Sequence, residues 1–106
     1  RKEYGYVRWW KFLLVMLPFT QKVFGEVIQR VFQEDCNEDD LVWHKDKMTR
    51  DVKVIAGVDW KFQHDNDLPF VMKRGMRFRI EKESFHRILR GSGRLILEIR
   101  ETNGKI

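Results

Sequence analysis

Two different hydrophobic rhythms run along this chain, and they change over near residue 36. Before it, Val23, Phe24, Val27, Ile28, Val31 and Phe32 fall at i, i+1, i+4, i+5, i+8 and i+9, the spacing of one helix face. That spacing predicts a helix from about Thr20 to Glu34, with the Thr20 hydroxyl capping its start. Trp9 to Leu17 predicts a second, shorter helix ended by Pro18. After residue 40 the period shortens to two. Val52, Val54 and Ala56 alternate with Lys53 and Ile55, and Trp60, Phe62 and His64 alternate with Lys61 and Gln63. Asp65-Asn66-Asp67 turns the chain into Leu68, Phe70 and Met72, and Lys73-Arg74-Gly75 turns it into Phe78 and Ile80. Phe85 to Leu89 and then Leu95, Leu97 and Ile99 follow, parted by Gly91-Ser92-Gly93. Short alternating runs with turn signals every few residues predict an all-β sandwich or barrel.

The expected organisation is therefore one domain over 1–106, with a helical segment over 1–36 packed on a β-barrel over 41–101 or on a partner subunit. Composition agrees: 42% hydrophobic residues supply a core, and 35% charged residues keep it in water. The lone Cys36 has no internal partner for a disulfide and lies in the acidic run Glu34 to Asp40, where a thiolate is disfavoured.

The opening at Arg1 reads as the start of a trimmed piece. Arg1, Lys2 and Arg8 before Phe12 to Leu17 look superficially like a signal peptide, but no small-x-small cleavage site follows. Pro18 and Thr20-Gln21-Lys22 cut the apolar run short of a membrane span. A cytoplasmic protein is expected. The Trp9-Trp10 segment is expected to pack on the barrel or a dimer partner, so a homodimer is expected too.

The net charge is +5, concentrated in Lys73, Arg74, Arg77, Arg79, Lys82, Arg87, Arg90 and Arg94. Such a stripe reads first as a solvated barrel exterior and only second as a nucleic-acid surface.

Two stretches carry chemistry. In the first, Trp43-His44-Lys45-Asp46 is followed by Arg50 and then Gly57. In the second, Gly75 is followed by five residues, Glu81, then Glu83, His86 and Arg90. Together they resemble the two motifs of the cupin superfamily over about 60 residues, with 17 residues between Gly57 and Gly75 as in compact microbial or phage-type cupins. In that resemblance His44 takes the first histidine position of His-x-His, Asp46 the second, Arg50 the glutamate position, and His86 the histidine of the second motif. Glu81, Glu83 and Arg90 stand where the family has proline, its second glycine and asparagine. The fold implied is a small antiparallel double-stranded β-helix barrel, mainly β, preceded by the one or two α-helices above. The order HxD…H is also similar to 2-oxoglutarate dioxygenases, whose chains are much longer.

On a strand, His44 and Asp46 project to one face, and His86 shares a parity with Ile88 that puts it inside. Two imidazoles and a carboxylate suit iron(II), and also zinc, manganese or nickel. Arginine cannot ligate a metal, so Arg50 either holds the acidic group of a metal-bound ligand or pairs with Asp46 in a metal-free site. Arg50, His64, Trp60 and Arg90 form the candidate ligand-binding set. His64, on the face of Trp60 and Phe62, reads first as a packed or rim residue, and Trp60 is claimed equally by the core. The function implied is a small cupin binding a divalent metal, a small anionic ligand or both, with enzymatic activity left open. The alternatives are a metal-free binder of a sugar or organic acid and a structural or assembly module.

Overall fold

The structure is a computed structural model, and it describes residues 17–102. Eight strands fall among these residues: β1 (Phe19–Phe24), β2 (Val27–Phe32), β3 (Thr49–Val58), β4 (Lys61–His64), β5 (Phe70–Val71), β6 (Arg77–Ile80), β7 (His86–Leu89) and β8 (Ser92–Thr102). A single 3₁₀ turn, Glu38–Asp40, is started by the Asn37 side chain accepting from the Asp39 N–H at 2.9 Å. The strands form a five-stranded antiparallel sheet, ordered β1-β2-β8-β3-β6, and a three-stranded one, ordered β5-β4-β7. They do not join into a closed barrel among the described residues. The core lies between them, built from Phe32, Val52, Val54, Ile80, Leu95, Leu97 and Ile99 on the larger sheet and Trp60, Phe62 and Met72 on the smaller side.

The helix expected from Thr20 to Glu34 is instead a β-hairpin. Phe24 pairs with Val27 across a two-residue loop, Gly25-Glu26, and Gly25 supplies the positive φ of 61° that this loop needs at its first position. The pattern misled because pairs of apolar residues four apart also arise from two strands flanking a short turn. The β-branched content, Val23, Val27, Ile28 and Val31, favours the strand. The helix expected at Trp9 to Leu17 lies, but for its last residue, outside the described residues.

The alternation predicted for the later strands is realised. Val52, Val54, Leu95, Leu97 and Ile99 are all buried, and their neighbours in sequence turn outward. On the outer face Arg79 pairs with Asp51 at 2.9 Å, and Arg77 is exposed, so part of the basic stripe is a solvated exterior. Gly91 is fixed by close approach: a Cβ there would overlap the backbone of Val58, Asp59 and Trp60.

Register decides what reaches the interior. Residues opposite one another on antiparallel strands point to the same face. Phe32 faces Leu95, Arg30 faces Leu97 and Ile28 faces Ile99, so Arg30 shares the inner face with two apolar neighbours. Glu101 faces Arg50, which faces Ile80, so Arg50 is inward as well, while Glu101, on the same face at the end of β8, is exposed. On the smaller sheet His64 faces His86, and His86 is bridged to His44 by a reciprocal backbone pair of 3.1 and 2.9 Å.

Candidate functional site

His44, Asp46 and His86 meet at one point. One ligand-capable atom from each lies within 4.8 Å of the others. His44 and Asp46 are not on a regular strand; the bridge to His86 and the bond from the Glu83 N–H to the Asp46 carbonyl hold this stretch, whose extended path keeps both side chains on one side. Asp46 Oδ2 is 3.2 Å from His86 Nε2, and Asp46 Oδ1 is 3.9 Å from His44 Nε2.

The two imidazoles are anchored in the same way, with their planes 65° apart. His44 Nδ1 is 2.9 Å from the Val42 carbonyl oxygen, and His86 Nδ1 is 2.9 Å from the Ser84 carbonyl oxygen. A carbonyl oxygen only accepts, so each Nδ1 carries the proton and donates. In the neutral ring each Nε2 then carries a lone pair, and both face the Asp46 carboxylate. Lone pairs facing lone pairs repel unless a proton or a cation stands between them. The geometry of Asp46 repeats this point, since its Oδ2 is buried and accepts no well-formed hydrogen bond.

Electrostatics set the resting charges. Burial, followed by the charge of His86, lowers His44 to about 4, against the raising effects of Asp46 and the Val42 carbonyl. His44 is therefore neutral at pH 7. Burial works against the ionised Asp46 carboxyl, but a hydrogen bond from His86 when its Nε2 is protonated, then the charges of Arg50 and the imidazoles, outweigh it and hold the group well below the usual carboxylate range. Phe62 stacks on His86, with ring centres 5.4 Å apart and planes 18° from parallel, and Phe78 packs on Phe62 at 4.8 Å. These aromatics form an apolar backing that fixes the imidazole.

Arg50 lies beside this group. Its Nη1 is 3.4 Å from Asp46 Oδ2, while its Nε and Nη2 donate to Glu101 Oε2 at 3.1 and 2.9 Å. Glu101 thus offsets the guanidinium charge that would otherwise repel a cation at the imidazoles. Neither Glu101 nor Arg30 was singled out from the sequence. Glu101 shares the parity of Leu95, Leu97 and Ile99, which was the available signal. Arg30 was hidden by the helical reading of its segment.

The other expected residues divide. His64 lies one strand beyond His86 and packs on Phe62 at 4.9 Å and Phe70 at 6.2 Å, as a rim residue would. Burial, then His86, lowers its pKa. Trp60 is fully buried in the core, its indole N–H donating to the Ser92 and Gly93 carbonyls at 3.2 Å each. Arg90 donates to the Cys36 carbonyl at 2.7 Å and pairs with Glu38 at 3.3 Å, fastening the acidic loop. Neither is brought to the imidazoles: one belongs to the core, the other to a loop anchor. Burial is also the first cause that raises the Cys36 thiol, with Asp35, Asp40 and Glu38 adding to it.

The arrangement of the two sheets is shared with solved structures. A cupin domain from Bordetella pertussis superposes with a TM-score of 0.56 at 15% identity, over 79% of this chain and 91% of that one. The fold is the cupin fold. A DMSP lyase structure superposes on this cupin-fold chain with a TM-score of 0.63 at 12% identity, over 74% of this chain and 38% of the lyase. The chain therefore spans well under half of that enzyme. The iron(II) form of HppE in complex with its substrate gives 0.58 at 15% identity, over 79% of this chain and 52% of HppE. No protein-family model matches the sequence, and no curated protein matches it either. No helix among the described residues is long and apolar enough to cross a membrane.

Proposed function

We propose that this cupin-fold chain holds a divalent metal ion on His44, Asp46 and His86 and presents it to a small anionic ligand. The observation that carries the reading is the shared anchoring of the two imidazoles: both Nδ1–H groups are spent on backbone carbonyls, leaving both Nε2 lone pairs aimed at one carboxylate. Metal-bound histidines are commonly fixed in this way by a partner on the second nitrogen. Metal–nitrogen and metal–oxygen bonds of about 2.0–2.2 Å place adjacent ligand atoms roughly 3 Å apart, close to the 3.2 Å between His86 and Asp46. Two histidines with one carboxylate, and open positions beside them, form the donor set of non-haem iron(II) sites; zinc, manganese and nickel accept the same donors.

When bound, such an ion would supply Lewis acidity or an oxygen-binding centre. The chain's own residues do the rest. Arg50 fixes Asp46 and keeps it ionised, Glu101 neutralises Arg50, and Phe62 and Phe78 exclude water behind His86. The formal charges of Arg30, Arg50, Asp46 and Glu101 cancel. A dication would leave the interior positive, which favours an anion as ligand.

A second reading rests on the Arg50–Asp46 contact. In it the guanidinium serves as the cation for Asp46, and the chain is a metal-free binder of a small molecule such as an organic acid. Elemental analysis of protein prepared without chelator, together with His86→Ala, separates the two. About one divalent ion per chain, lost in the variant, supports the metal site. Metal-free protein with unchanged ligand binding supports the second reading and overturns the first.

A further inference from the structure

Besides Arg50, a second guanidinium stands on the inner face, and it is not matched to an acid. Arg30 is on β2 between Ile28 and Phe32, opposite Leu97. Its Nε and Nη2 donate to Gln21 Oε1 at 3.0 and 2.7 Å, and its Cζ lies 3.9 Å from the centre of the Phe19 ring. Both partners are neutral. Arg30 forms no ion pair with a carboxylate among the described residues, because the nearby acids, Asp46 and Glu101, are already engaged by Arg50. Partial burial and the adjacent Arg50 lower its pKa to about 10, which keeps it charged at pH 7.

A guanidinium turned inward whose direct contacts are an amide and a ring, with the nearby carboxylates engaged by Arg50, is an expensive structural device. Removing a cation from water is costly unless a counter-charge meets it. An apolar side chain would fill the same place between Ile28 and Phe32 with no such cost. Phe19 and Gln21 do, however, hold the guanidinium plane still, and the bonds to Gln21 use only the Nε and Nη2 side. Nη1 keeps its donors, in the fork geometry that fits an oxyanion. Through β8, Arg30 shares the inner face with Arg50, and Asp46 and Glu101 act on its charge, so it stands on the same side of the sheet as the donor cluster.

We infer, building on the metal-site reading above, that Arg30 is the specificity-determining residue for the ligand: it seats a carboxylate or related oxyanion on its free edge while the rest of the molecule faces His44, Asp46 and His86. Arg50, committed to Glu101, is the positioning residue for Asp46 and not the anion seat. The hairpin β1–β2 therefore supplies the selectivity, and the loop before β3 together with β7 supplies the metal donors.

The test uses the whole chain as zinc-loaded and chelator-treated protein, titrated calorimetrically with succinate, and with sulfate to separate planar from tetrahedral oxyanions. Arg30→Met should weaken binding of the preferred anion at least tenfold. Arg30→Lys should recover part of it, and zinc uptake should stay within about twofold in both. Thermal melting confirms that the variants fold, and methionine suits the apolar neighbours of the site. If the wild-type protein binds neither anion, or Arg30→Met binds within twofold of wild type, the assignment of Arg30 is overturned. If Arg30-dependent binding persists in protein that takes up no zinc, the metal reading is overturned and the anion seat stands.

Discussion

Glu83 donates its backbone N–H to the carbonyl oxygen of Asp46 at 2.7 Å, tying the turn before β7 to the residue that faces both imidazoles. Glu83 does so with φ at 66°, in the left-handed region that favours glycine. This is the position at which the cupin resemblance places the family's second glycine. A left-handed backbone thus stands at a glycine position of the motif although the residue is glutamate. Gly75, at the motif's first glycine, is also left-handed, with φ at 86°.

Glu83→Gly should therefore stabilise the protein by about 1 kcal/mol, the cost of a left-handed non-glycine residue, less the weak exposed pair with Lys45. Chemical denaturation reads this directly. A loss of stability on this substitution would mean that the Glu83 side chain matters more than its backbone.

Gly91→Ala should do the opposite. The added methyl would enter the backbone of Val58 to Trp60, which cannot yield as a flexible side-chain end can. A destabilisation of about 2 kcal/mol or more is expected, in the range of overpacked cores. Unfolding midpoints check it, and an unchanged midpoint would show that the β7–β8 turn moves freely.

The resemblance was legible because motif spacing survives changes of residue type. His44, Asp46 and His86 were placed together from that spacing, and they do converge. Strand parity likewise foretold the buried rows of β3 and β8. What was missed follows from one error of period. Read as a helix, Arg30 is a polar residue on the flank; read as a strand, it lies in phase with Ile28 and Phe32 and turns inward. Gly25, a poor residue for a helix interior, was the contrary signal. Trp60 and Arg90 lie away from the imidazoles, which spacing alone does not tell: a pocket wall and a core draw on the same aromatics, and an arginine's reach is not set by its strand.

Glu101→Gln should weaken metal binding. Without the carboxylate, the Arg50 charge is no longer offset and acts on Asp46 and on any cation beside it. A three- to tenfold rise in the dissociation constant for zinc, measured by chelator competition, is the expected scale, about 1 kcal/mol. Equal affinity would show that Arg50 does not feel the site.

Acid should destabilise the metal-free protein before Asp46 titrates. His44 has a folded pKa of about 4 against 6.5 unfolded, so between these values the unfolded chain binds a proton that the folded one does not. Stability should be full above about pH 6.5 and fall as the pH drops toward 4, by at most roughly 3 kcal/mol. His44→Gln should flatten this window in urea titrations across the range. The same slope in the variant would assign the loss to other groups.

β8 is flanked on both sides, by β2 and by β3, and the β1–β2 hairpin is the sole cover for its outer edge among the described residues. Shortening the chain past residue 33 would strip that cover and leave the backbone from Leu95 to Arg100 as a bare row of donors and acceptors. Such a row is a template for strand addition by another molecule. The segment proposed to choose the ligand is thus also the one that covers this edge, so truncates should precipitate before they lose the imidazole pair.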